Sequence, residues 1–160
     1  MTRERFIELA TAEQEPLRRF LLALCGGDRM EAEDIAQEAF VKAWLASERF
    51  DERYKFRTWL FKIAYRTLLD HAKRPRLERL SEVSDISELS DISDYTADAS
   101  FRYEALYRAK LPERARAATL LYHIGGYSIK DIATITHSNP VAVRQQLHRG
   151  LTRLRQILKP

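Results

Sequence analysis

Arg144, Gln145, His148, Arg149 and Arg153 fall close together in the segment YSIKDIATITHSNPVAVRQQLHRGLTRLRQIL. Arginine can fork two N–H donors onto guanine, and glutamine can pair with adenine, so Arg144 and Gln145 suit the base edges of a duplex groove. Arg149 and Arg153 lie further along and suit phosphates. Ser138 and Asn139 open the same element and complete a candidate duplex-contacting set. A second set interleaves the aromatics Phe50, Tyr54, Phe56, Trp59, Phe61 and Tyr65 with Arg53, Lys55, Arg57, Lys62 and Arg66. Basic side chains hold a nucleic-acid backbone while aromatic faces stack unpaired bases, each stack contributing about 1–3 kcal/mol. Trp59 and Phe56 are expected to pack inside rather than stack. A third set, Glu31, Glu33, Asp34, Gln37 and Glu38, gives one helix a polar, mostly acidic face able to pair with a basic partner helix.

Other chemistry finds no footing. No P-loop, no nucleophile–base set and no carboxylate cluster suited to metal ions stands in the sequence, so no catalysis, cofactor or metal is expected. His137 and His148 lack Cys or clustered carboxylates nearby and do not suggest a metal site. A single cysteine, Cys25, excludes an internal disulfide. Following FLLAL, it reads as a small buried hydrophobe. MTRERFIELA lacks a signal-peptide core, and no stretch reaches the length of a membrane span. The expectation is a soluble, cytoplasmic protein.

The elements that must position these sets are helices. Only five Gly and five Pro occur in 160 residues, and no segment alternates convincingly as a strand. Helices are expected over residues 4–24, 30–46 and 57–73, with Gly26-Gly27 ending the first and Pro75 the third. Ile35, Ala39, Phe40, Ala43 and Trp44 form the inward stripe of the second, and residues 50–56 form a loop. Later helices are expected over 101–109, 112–124, 128–135 and 140–158. The last two read as a helix-turn-helix, with Ser128 and Ser138 as caps, Thr136-His137-Ser138 as the turn and Pro140 in the first turn of the second helix. Val143, Leu147, Leu151, Leu154 and Leu158 are its expected buried stripe.

Charge divides the chain. Residues 51–80 carry nine basic and four acidic side chains, and residues 101–160 carry eleven and three. Between them, SEVSDISELSDISDYTADAS at 81–100 holds six carboxylates and no Lys or Arg. Two basic blocks around an acidic linker suit two contacts with nucleic acid. The expected architecture is all-α: two small helical domains, 1–80 and 105–160, joined by a flexible acidic linker at 81–104.

EAEDIAQEAFVKAW, FRTWLFKIAYRTLLDHAKR and LPERARAATLLYHIGGYSIKDIATITHSNPVAVRQQLHRGLTRLR occur in this order. Together they resemble the extracytoplasmic-function (ECF) sigma factors of the sigma-70 family of bacterial RNA polymerase. The resemblance implies a transcription initiation factor with no catalysis of its own. Its N-terminal unit would bind the β′ clamp of core RNA polymerase through Glu31, Glu33, Asp34, Gln37 and Glu38. The same unit would recognise and melt the −10 element through Arg53, Tyr54, Lys55, Arg57, Lys62 and Arg66, with the loop receiving a flipped base. Its C-terminal unit would bind the −35 duplex through Ser138, Asn139, Arg144, Gln145, His148, Arg149 and Arg153, and would meet the β flap. Promoter DNA, core polymerase, and an anti-sigma factor or another recruiting protein are the implied partners. The chain departs from the family at His137, Val141, Ala142 and Gln146, which puts the strength of −35 contact in question. A stand-alone helix-turn-helix regulator is the alternative.

Overall fold

The computed structural model describes residues 1–73 and 110–158, which form two separate compact helical units. The expected linker at 81–104, the helix at 101–109, the stop at Pro75 and the domain boundaries lie outside the described residues. Among the described residues every regular element is helical.

The N-terminal unit has three long helices: α1 (Arg3–Leu24), α2 (Arg29–Ala46) and α3 (Phe56–Ala72). The Thr2 hydroxyl caps α1 by accepting from the Arg5 N–H, and the Asp28 carboxylate caps α2 by accepting from the Glu31 N–H. Gly26 and Gly27 turn the chain between them at φ +64 and +92, where a side chain would be strained. Cys25 sits half-buried as the C-cap of α1, so it is less enclosed than its sequence context suggests. Leu17, Leu21, Ile35, Ala39, Leu60, Ala64 and Tyr65 form the core where the three helices meet. The Phe20 and Phe61 rings stack at 5.4 Å within it.

The expected stripe of α2 needs correction. Ile35, Ala39 and Ala43 are fully buried, but Phe40 is only half-buried and Trp44 is 42% exposed. Ala32 and Ala36 take the remaining inward positions, letting α2 approach its neighbours closely.

The C-terminal unit comprises α4 (Glu113–Thr119), a π-helical turn (Leu120–Ile124), α5 (Ile129–Ile135) and α6 (Pro140–Leu158). The turn closes with the Gly125 N–H donating to the Leu120 carbonyl at 3.0 Å. Gly126 then reverses the chain at φ +70. Ser128 caps α5 as expected, its hydroxyl accepting from the Asp131 N–H. The second cap differs from expectation. Asn139, not Ser138, caps α6 by accepting from the Ala142 N–H at 2.9 Å. The Ser138 hydroxyl instead meets that of Thr136 at 2.9 Å, inside the turn. His137 holds φ +56 in that turn, a conformation His tolerates better than most side chains.

The expected leucine stripe of α6 also needs correction. Val143 is buried, Leu147 and Leu154 are half-buried, and Leu151 is exposed. The side chain of Leu158 lies outside the described residues. Gly150 takes the closest position, with its Cα against Thr119 of α4. Helix α6 thus packs along positions 143, 147, 150 and 154, spaced four, three and four residues apart, with Gln146 beside them; Leu151 lies one position off that seam.

Candidate nucleic-acid and polymerase interfaces

On α6, Arg144, Gln145, His148, Arg149, Thr152, Arg153 and Gln156 line one shallow, open groove on the exposed side. Among the described residues, Arg144 and Gln145 make no hydrogen bond or ion pair, so their donors face solvent. Arg153 reaches one turn forward to the Gln156 side-chain oxygen at 3.3 Å. Asn139 is exposed but its side-chain oxygen is committed to the cap. Ser138 is half-buried, its hydroxyl held by Thr136. The turn thus fixes the entry angle of α6 rather than offering free polar groups. Gln146 is turned inward: its side-chain oxygen is buried without a hydrogen-bond partner. That explains how α6 dispenses with a basic residue there, since position 146 faces packing and not the groove.

In the N-terminal unit the mixed aromatic–basic block separates into two populations. Phe61 and Tyr65 are buried in the core, out of reach of any base, and Phe56 is buried too. Trp59, half-buried, closes on Phe50 at 4.8 Å and on Phe56 at 5.6 Å. Phe6 joins this cluster, meeting Phe56 at 5.9 Å and Trp44 at 5.2 Å. The loop between Phe50 and Phe56 is therefore clamped at both ends by aromatic packing. It presents Tyr54, 70% exposed, at its tip. Lys55 and Arg66 are exposed and Lys62 is half-buried. Arg57 and Arg53 are already engaged. Arg57 lies 3.1 Å from the Glu13 carboxylate of α1, an ion pair without hydrogen-bond alignment, and its guanidinium stands 5.8 Å over the Phe61 ring. Burial pushes the Glu13 carboxyl up, and the Arg57 charge pulls it partly back. Arg53 folds onto Asp51, with its Nη2 at 2.6 Å from Oδ2.

The acidic set on α2 also divides. Glu33 takes a two-pronged contact from Arg18 of α1, both N–O distances being 3.1 Å. Glu38 meets His71 of α3 at 2.5 Å and Lys42 at 3.1 Å. Lys42 continues to the Thr67 hydroxyl at 3.3 Å, tying α2 to α3 again. The hydrogen bond from His71, then those from Lys42, hold the Glu38 carboxyl below its ordinary value against a partial desolvation. Glu33 and Glu38 thus brace the bundle. Glu31 lies half-buried in the first turn, while Asp34 and Gln37 are exposed. Beside them the helix exposes Met30 (75%), Val41 (57%) and Leu45 (75%). Positions 30, 34, 37, 41 and 45 recur at helical spacing, so the outward face is a mixed apolar–polar stripe rather than an acidic one. The signal was present as Val41 and Leu45 four residues apart, off the inward stripe.

Residues 9–77 match the family model for sigma-70 region 2, and residues 108–154 match that for sigma-70 region 4. The chain is 32% identical over 146 residues to the ECF RNA polymerase sigma factor SigW of Bacillus subtilis, covering 83% of this chain and 78% of that protein. The chain belongs to the ECF sigma factors of the sigma-70 family. The RNA polymerase sigma-H factor of Pseudomonas aeruginosa is 33% identical to this sigma factor, over 83% of this chain and 76% of that one. A solved structure of CnrH, in complex with the cytosolic domain of CnrY, shares 25% identity and a TM-score of 0.72, covering 98% of this chain and 89% of that chain. The sigma factor RpoE from Bartonella quintana, solved with the anti-sigma factor NepR, shares the fold at a TM-score of 0.72 and 21% identity, covering 97% and 94% of the two chains.

As a sigma factor the protein directs RNA polymerase to promoters and performs no catalysis itself. A stand-alone regulator would need only the helix-turn-helix, and the match to region 2 removes that alternative. Among the described residues, no helix is long and apolar enough to cross a membrane.

Proposed function

We propose a division of labour between the two units. The groove of α6 reads the −35 duplex: Arg144 and Gln145 contact base edges, while His148, Arg149 and Arg153 hold the backbone. Ser138 and Asn139 set the angle of the helix. In the N-terminal unit, Tyr54 at the tip of the loop stacks a base of the melted −10 strand, and Lys55, Lys62 and Arg66 hold its backbone. Arg53 joins them when released from Asp51. Arg57 contributes through the Glu13 pair, by fixing the start of α3, rather than by touching DNA. The stripe Met30, Asp34, Gln37, Val41 and Leu45 binds core polymerase, with Glu31 at its edge and with Glu33 and Glu38 bracing it from within. The domains are 1–80 and 105–160, with the acidic segment 81–104 between them. The factor works in the cytoplasm alongside the polymerase. An anti-sigma factor covering these surfaces is the expected regulator, supported by the CnrH relative, which is solved with a bound partner domain.

The observation that carries this reading is the line of side chains from Arg144 to Gln156 on one open face of α6, with Arg144 and Gln145 facing solvent. Its test is a footprint of reconstituted holoenzyme on a promoter mapped by sequencing transcript 5′ ends after overexpression. Wild type should protect the −35 region, and Arg144→Ala should lose discrimination at one base pair there. Unchanged sequence preference in that variant would reject the assignment.

A further inference from the structure

The loop between Phe50 and Phe56 carries its own counter-charge. The Asp51 carboxylate accepts four hydrogen bonds from Arg53. The backbone N–H reaches Oδ1 at 3.0 Å, Nε lies 3.1 Å from Oδ1 and 2.9 Å from Oδ2, and Nη2 lies 2.6 Å from Oδ2. The Asp51 carbonyl also accepts from the Tyr54 N–H at 3.0 Å, which closes the turn that lifts Tyr54 outward. Next to it, Glu52 lies 3.7 Å from Arg5 of α1. The hydrogen bonds from Arg53 hold the Asp51 carboxyl below its usual range, so it is ionised throughout the neutral range.

From this we infer that Asp51 is a specificity-determining residue of the promoter-contacting loop, acting through Arg53. It occupies the arginine until a correctly placed phosphate or base displaces it. The inference rests on the proposed −10 role of the loop.

The physical consequence is differential. While paired to Asp51, Arg53 adds no net positive charge and releases no counterion from DNA. The loop then approaches any strand with weaker non-specific attraction. Only a strand seated on Tyr54 with a phosphate in reach offers Arg53 an exchange of one charge-assisted contact for another. Specificity here comes from penalising wrong partners as much as from attracting the right one. Arg53 is exposed and Asp51 half-buried at the surface, and neither belongs to the core, so the exchange needs no rearrangement of the core.

Asp51→Asn separates the two jobs of the residue. An asparagine oxygen can still accept the Arg53 backbone N–H and keep the turn, but it carries no charge. Reconstituted holoenzyme would be titrated with a labelled single strand bearing the −10 region, and with a mismatched version, across a salt series. For Asp51→Asn, log affinity for the mismatched strand against log salt should steepen by about 0.7, the value of one extra phosphate contact on a single strand, because wild-type Arg53 stays paired to Asp51 there. Affinity would then fall about threefold more than wild type between about 50 and 200 mM salt. The mismatched strand should gain more affinity than the matched one. Adding Arg53→Ala to Asp51→Asn should return the slope to the wild-type value. Tyr54→Ala with Lys55→Ala tests the loop itself and should weaken binding to the matched strand. An unchanged slope in Asp51→Asn, or a steepening that survives Arg53→Ala, overturns the counter-charge role if Tyr54→Ala with Lys55→Ala still weakens binding. If none of these variants moves affinity, the −10 role of the loop falls and the inference falls with it.

Discussion

Gly150 shows how one residue sets the C-terminal unit. A Cβ added there would sit 2.3 Å from the Thr119 Oγ1, well inside contact distance. Alanine in a helix interior ordinarily gains about 0.5–1 kcal/mol over glycine. Overpacking costs about 1–3 kcal/mol, so the clash wins. Gly150→Ala should therefore lower the melting temperature of the protein, and Thr119→Ala in the same chain should recover part of the loss. Glu38 supplies a pH-dependent case. Its folded carboxyl sits below the ordinary 4.5, so its contribution is present above that value and is lost as pH falls through the folded one. Glu38→Gln should cost about 1 kcal/mol or less at neutral pH, the group being partly exposed, and the gap from wild type should close in acid melts. Glu13, raised by burial, runs the other way, and its protonation relieves a cost as pH falls. Legibility at this scale was mixed. The Ser128 cap and the positive φ of His137 follow from residue type. The choice between Ser138 and Asn139 does not, because both are competent caps and only the register of α6 decides between them. The burial of Phe61 and Tyr65 was likewise hidden, because interleaved basic residues masked their shared inward face.

Among the elements, the positions of the helices were legible because apolar spacing and glycine or proline punctuation agree. Helix α1 is an instructive exception, for it runs through Pro16 without ending. Proline there lacks the N–H that would bond four residues back, a cost of about 3 kcal/mol. Burial of Leu17, Phe20 and Leu21 immediately afterwards offsets it. The outward face of α2 was not legible, since acidic residues look alike in sequence whether they brace the bundle or face solvent. The contacts from Arg18 and His71 distinguish them. Two outcomes follow for α2. Val41→Asp together with Leu45→Asp should weaken binding to core polymerase at least tenfold with helical content unchanged. Glu33→Ala should instead lower the melting temperature, because it removes the two-pronged contact between α1 and α2 and leaves Arg18 only Gln14 of its own helix. On α6, Arg144→Ala should cost about 1–3 kcal/mol of discrimination at one base pair. Arg149→Ala should weaken all sequences alike and reduce the salt slope by about one, as measured by titration of promoter fragments.

For the whole molecule, two units of net positive charge flank an acidic segment whose six carboxylates occur without a single Lys or Arg. On the proposed reading those carboxylates would repel phosphate and disfavour binding of either unit to DNA away from polymerase. Replacing all six with amides should raise affinity for free duplex DNA at low salt, while unchanged affinity would leave the segment only a tether. The family and the order of its regions were legible because three motifs occur in sequence, each tied to a helix whose periodicity supports it. The central claim is that promoter melting belongs to the N-terminal unit and −35 binding to α6. Permanganate reactivity of thymines on a linear promoter, read beside nuclease protection, tests it most directly. With Lys62→Ala and Arg66→Ala in holoenzyme, −10 thymines should lose reactivity while the −35 region stays protected. Full thymine reactivity in that variant, or loss of −35 protection with the fold intact, would contradict the account.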